Sequence, residues 1–122
     1  MAVIKPFEDL VSWQIARQLT QKIYGDFKSI RDYSHKDEIQ RASVSTMSNI
    51  AEGFERAGKA EKIHFFNITR ASAAEVRSLA YVAEDAELIS HDSAVGIRVK
   101  SLECARLISG LINYLKKQDT KN

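Results

Sequence analysis

One proline, five glycines and a single cysteine in 122 residues each remove a class of structure. Proline and glycine punctuate hairpins and long loops, so their shortage leaves little room for β-turns or disordered tracts and favours helices. Cys104 has no partner for an internal disulfide, and the N-terminus lacks the basic start and apolar run of a signal peptide. A reducing, cytoplasmic setting is therefore expected. No apolar run approaches the ~20 residues that cross a bilayer, so a membrane span is not expected. A net charge of +2 is too small to announce a nucleic-acid binder.

What remains is the composition of an ordinary folded protein, 44% hydrophobic and 28% charged, at a length that suits one domain. The charge is uneven. Residues 90–122 hold six basic groups, Arg98, Lys100, Arg106, Lys116, Lys117 and Lys121, against the three acidic groups Asp92, Glu103 and Asp119. This reads first as a solvated face with lysines complementing the negative end of a helix dipole, and second as a phosphate-facing patch.

Periodicity divides the chain into four helices, at about residues 7–26, 35–56, 59–88 and 91–117. The first follows Pro6, with Leu10, Trp13, Ala16, Ile23 and Phe27 beside a second stripe of Val11, Ile15 and Leu19. Ser34 with Asp37 resembles a capping box for the second helix, and Ala57-Gly58 is read as its left-handed end. The third helix has no breaker to Leu88 and spans about 45 Å at ~1.5 Å per residue, half again as long as the first. Either the connection between the first two helices packs along the excess or the third helix protrudes into a neighbouring subunit. Ser90 caps the fourth helix, whose seam is read as Val95, Val99, Leu102, Ala105, Ile108, Ile112 and Leu115. Beside it run Ile97, Cys104, Leu107, Leu111 and Tyr114, and a doubled stripe suggests burial against another subunit. Short connections make the fold class all-α, an up-down-up-down antiparallel four-helix bundle with a long third helix.

Chemistry is hard to find. Glu61 and His64 form one Glu-x-x-His pair, but a di-iron bundle needs two, and neither His35 nor His91 has a Glu three residues before it. Cys104 lies on an apolar stripe and reads as packing. There is no phosphate loop and no strand for a dinucleotide fingerprint. Trp13, Tyr24, Phe65 and Phe66 are spaced as core or interface residues. No catalytic residue, metal ligand or cofactor is expected.

The unusual segment is the second helix, where Arg41, Ser45, Asn49, Glu52 and Arg56 form a polar stripe at spacings of 4, 4, 3 and 4. Gly53 lies inside that helix at a cost of roughly 1 kcal/mol against alanine, which signals a close backbone approach. The small run from Arg70 to Glu75 on the third helix would permit it, with Arg70, Ser72 and Glu75 pairing with the stripe as an interhelical or intersubunit network.

Several runs carry a resemblance: Phe7 to Ala16, Arg41-Ala42, Ser45, Asn49-Ile-Ala-Glu-Gly53 with Arg56, and Phe65 to Glu75. Together, over about residues 7–115, they resemble the bacterial four-helix-bundle family first noted as proteins encoded in intervening sequences of 23S ribosomal RNA genes. The resemblance implies an up-down bundle assembling as a ring-like homopentamer, without established enzymatic activity. It also implies a looser kinship to the accessory variability determinant of diversity-generating retroelements, which binds nucleic acid and a reverse transcriptase. Ala71 stands where that family usually has glycine, and Thr46-Met47 where it has Ile-Pro. The expectation is thus a cytoplasmic homo-oligomeric scaffold with RNA or a ribonucleoprotein as partner. Candidate nucleic-acid contacts are Lys59, Lys62, Arg98, Lys100, Arg106, Lys116 and Lys117. The alternative is a protein-binding or structural module with no nucleic-acid role.

Overall fold

The computed structural model describes residues 6–119, so Lys121 lies outside the described residues. Pro6 opens a 3-10 turn, Phe7–Asp9, rather than the first α-helix. Leu10 is extended, and α1 spans Val11–Asp26; α2 spans Tyr33–Glu55, α3 Lys59–Asp85 and α4 His91–Asp119. Each helix packs on its two neighbours, and among the described residues the diagonal pairs do not touch at the backbone level. Contacts run in opposite chain directions across each seam. His35, Ser45 and Thr46 meet Leu79, Ser72 and Thr69, while Ser12, Gln18 and Asp26 meet Cys104, Lys100 and Ser93. The result is the expected antiparallel four-helix bundle.

Besides the later start of α1, the ends of α2 and α3 differ from the sequence reading. Asp32, not Ser34, caps α2, its Oδ1 accepting from the His35 N–H at 3.2 Å, so the helix starts two residues early. Gly58 is extended at φ −84° and serves as the N-cap of α3, while α2 has already ended where Arg56 turns extended. The third helix stops at Asp85 instead of Leu88. The Leu88 N–H donates to the Ala83 carbonyl at 2.8 Å and the Glu87 N–H to Glu84 at 3.0 Å, with Glu87 left-handed at φ 59°. That is a Schellman closure made without glycine. Ser90 does cap α4, its Oγ accepting from the Ser93 N–H at 3.1 Å.

Two apolar clusters form the core. One gathers Leu19, Ile23, Phe27, Ile39, Val76, Ala80 and Ile97, the other Ala16, Ile50, Phe66, Cys104, Ile108 and Ile112. Phe27 and Ile30, in the connection after α1, pack into the first cluster, which also holds Val76, Ala80 and Ala83 of α3. Three hydroxyls buried between the helices are satisfied by carbonyls, Thr46 by Ala42 at 2.8 Å, Thr69 by Thr46 at 3.3 Å and Ser101 by Ala73 at 3.2 Å, whereas the buried Ser12 hydroxyl has no partner among the described residues.

The buried stripe of α4 is Ala94, Ile97, Ser101, Cys104, Ile108 and Ile112, which keeps Ile108 and Ile112 of the seam read from sequence, with Leu115 packed beside them, and departs from it towards the N-terminus. Three successive three-residue steps each fall about 60° short of a full helical turn. Walking back from Ile108 through Ala105 and Leu102, they carry Val99 to the opposite face, where it is 61% exposed. Ile97 and Cys104, assigned to the second stripe, are core.

Candidate nucleic-acid interface

The polar stripe of α2 is largely occupied by local partners. Ser45 and Ser72 share a hydroxyl contact of 2.8 Å across the α2–α3 seam, and Asn49 Nδ2 donates to the Ser45 carbonyl at 2.9 Å and hydroxyl at 3.1 Å. Arg56 pairs with Glu52 at 3.2 Å, approaches Glu61 at 3.8 Å, and lies 4.7 Å over the Phe65 ring. Gly53 is buried, as a close approach requires, but its neighbours are aromatic. A Cβ there would stand 2.8 Å from the Phe66 ring and 3.1 Å from Phe65 Cβ. The small run at residues 71–74 packs elsewhere.

Arg70 does not reach this stripe. It sits on the α4 side of α3, while Arg41 and Glu75 are exposed; none of the three has a side-chain ion pair or hydrogen bond among the described residues. Within the chain the interhelical part of the expected network consists of Ser45, Asn49 and Ser72, with Glu52–Arg56 as a separate exposed pair.

The basic residues scatter in a way that sorts them. Lys62 Nζ donates to the Phe54 carbonyl at 2.7 Å, neutralising the carbonyl end of α2. Lys59 and Lys117 are also engaged. Lys100 faces α1 and bonds Gln18 at 2.9 Å, and Lys116 is exposed in the last turn of α4. Arg98 pairs with Glu84 at 2.8 Å and stacks 4.0 Å over Tyr81, and His91 Nδ1 lies 2.6 Å from the same carboxylate. Hydrogen bonds from His91 and then Arg98 hold the Glu84 carboxyl below its ordinary range.

Among the described residues, Arg106 lines one groove with two further unpaired cations. Along α3, Arg70, Ala71, Ala74 and Arg77 fall on one flank; along α4, Leu102, Ala105, Arg106 and Ser109 face them, and Asn67 closes one end. The alanines keep the ridges low, so an open groove of about 490 Å³ remains between the helices. Arg70, Arg77 and Arg106 line it without an acidic partner among the described residues. Guanidinium groups keep their charge, and their planar donors have the geometry that suits phosphate or carboxylate. Sequence reasoning missed Arg77. Its signal was the seven-residue spacing from Arg70, which keeps both on one helical flank.

Other candidates are less equipped. Cys104 is fully buried and burial pushes its thiol up to about 12, so it stays protonated. Glu61 and His64 are exposed, and among the described residues no three acidic, His or Cys side chains gather as a metal site. No described helix is long and apolar enough to cross a membrane.

A family model described as 23S rRNA-intervening sequence protein matches residues 8–110. The fold is similar to a solved structure from Bacteroides thetaiotaomicron, a protein of unknown function from the S23 ribosomal protein family, at TM-score 0.78 and 20% identity. That match covers 84% of this chain and 96% of the other. No curated protein matches the chain.

Proposed function

The chain belongs to the 23S rRNA-intervening sequence protein family, and on that premise we propose a non-enzymatic, cytoplasmic, homo-oligomeric scaffold that holds RNA by its phosphates in the α3–α4 groove. The observation that carries this reading is the convergence of Arg70, Arg77 and Arg106 on one groove with no acidic partner among the described residues. Three uncompensated cations side by side repel one another, and a phosphate chain removes that repulsion while releasing its own counterions. Asn67 and Ser109 add neutral hydrogen-bonding groups at the rim. Subunit contact belongs to the other flank of α4, where Leu10, Val11, Leu107 and Leu111 line an apolar recess and Tyr114 is 60% exposed. Five copies in a ring is the state the family resemblance implies.

Fluorescence anisotropy with a labelled RNA oligonucleotide tests the groove. Binding is expected at low salt, with a log–log salt slope of about −2 to −3 for three phosphate contacts. Replacing Arg70, Arg77 and Arg106 together by Gln should weaken it on the order of a hundredfold and flatten that slope. Absence of binding to any RNA at low salt would sink the reading. Mass measurement in solution tests assembly, with Leu107→Glu and Tyr114→Glu expected to yield monomers.

The exposed apolar flank also supports a second reading, a protein-binding or structural module alone. It expects assembly to persist while the triple arginine variant behaves as wild type with every RNA.

A further inference from the structure

The arginine groove does not stop at Arg77. It runs on into a second recess of about 360 Å³ lined by Arg77, Tyr81, Arg98, Val99 and Leu102. At this end Tyr81 lies one helical turn beyond Arg77, about 6 Å along the axis. Tyr81 is 56% exposed although the Arg98 guanidinium sits 4.0 Å over its ring centroid. Arg98 is itself fixed by Glu84 at 2.8 Å, and Glu84 by His91 at 2.6 Å. The ring is thus backed on one face by a cation anchored from behind.

We infer that Tyr81 is a base-stacking platform and that the groove takes a single-stranded segment, its phosphates on Arg70, Arg77 and Arg106 and an unstacked base on the Tyr81–Arg98 pair. This rests on the phosphate reading of the groove above and specifies its substrate class. A duplex keeps its bases in its own stack and can offer the arginines only phosphate, whereas a single strand can turn one base outward onto an aromatic face. The backing cation withdraws electron density from one face of the ring and holds the ring in place for a base on the other. Val99, 61% exposed beside it, extends the apolar surface under a base.

The probes are three labelled oligonucleotides with equal numbers of phosphates: a single-stranded pyrimidine RNA, a blunt RNA hairpin and an abasic ribose-phosphate strand. The full chain is used, with thermal melting and solution mass as controls. Wild type should bind the single strand about tenfold more tightly than the abasic strand or the hairpin. Tyr81→Ala and Tyr81→Leu should erase that tenfold preference and leave abasic binding unchanged, while Tyr81→Phe keeps it. Equal binding of all three probes by wild type would overturn the stacking role and leave the phosphate groove standing. No binding of any probe, the abasic strand included, would instead overturn the groove itself. Displacement of the single strand by an acidic peptide at equal concentration would assign the groove to a carboxylate-bearing protein and overturn both.

Discussion

On its α2 side, α3 presents Thr69, Ser72 and the Phe65–Phe66 pair, and both hydroxyls are hydrogen-bonded, Thr69 to the Thr46 carbonyl and Ser72 to the Ser45 hydroxyl. On its α4 side it presents Arg70 and Arg77, whose guanidinium groups have no partner among the described residues. Both flanks are polar and both are lined by small residues. The first is polar because close helix packing needs short side chains whose hydroxyls can return to the backbone, and it is finished as it stands. The second holds charge that folding does not use, which is where a ligand adds most.

The comparison can be broken most severely at Gly53. Gly53→Ala should gain up to ~1 kcal/mol of helix propensity but force the Phe66 ring to move, at ~1–3 kcal/mol. Because the buried Phe66 ring has little room to give, the cost wins, and the net expectation is a loss of up to about 2 kcal/mol, read as a lower midpoint in urea unfolding. A neutral result would mean the α2–α3 flank is looser than its distances indicate. Glu87→Gly tests the turn that sets α4 against α3. Relieving a left-handed non-glycine residue should raise stability by about 1 kcal/mol, and the same unfolding experiment reports it. Ser72→Ala should cost about 0.5–1 kcal/mol, at the low end for a lost hydrogen bond because Ser45 still accepts from Asn49. Smallest of all, the triple Arg→Gln variant of the groove should change thermal stability by less than about 0.5 kcal/mol while abolishing most RNA affinity. A large destabilisation there would show that the arginines belong to the fold, and the contrast between the flanks would disappear.

Much of the architecture was legible. Ser90 announced the start of α4, and Gly53 announced a close approach because an interior glycine is costly unless a neighbour needs its missing side chain. The α4 seam was misread because a run of three-residue steps keeps an apolar rhythm while rotating off the core, so Val99 counted as buried when it faces outward. Asp32 was passed over for Ser34 because both are good caps and only backbone geometry chooses between them. Glu87 carried no signal at all, since its residue type argues against the conformation it adopts.

By itself the sequence determined four amphipathic helices, their order and their antiparallel packing, because periodicity and short connections are local properties of residue order. It also placed the polar stripe on α2 and a basic excess towards the C-terminus. Only tertiary structure decided which of those charges were spent and which were left. Arg98, Lys62 and Lys100 found partners up to 82 residues away, whereas Arg70 and Arg77 were rotated towards α4 to meet Arg106. Pairing depends on how each helix is turned about its axis against its neighbours. That rotation is set by the packing of the whole core, which no single segment contains.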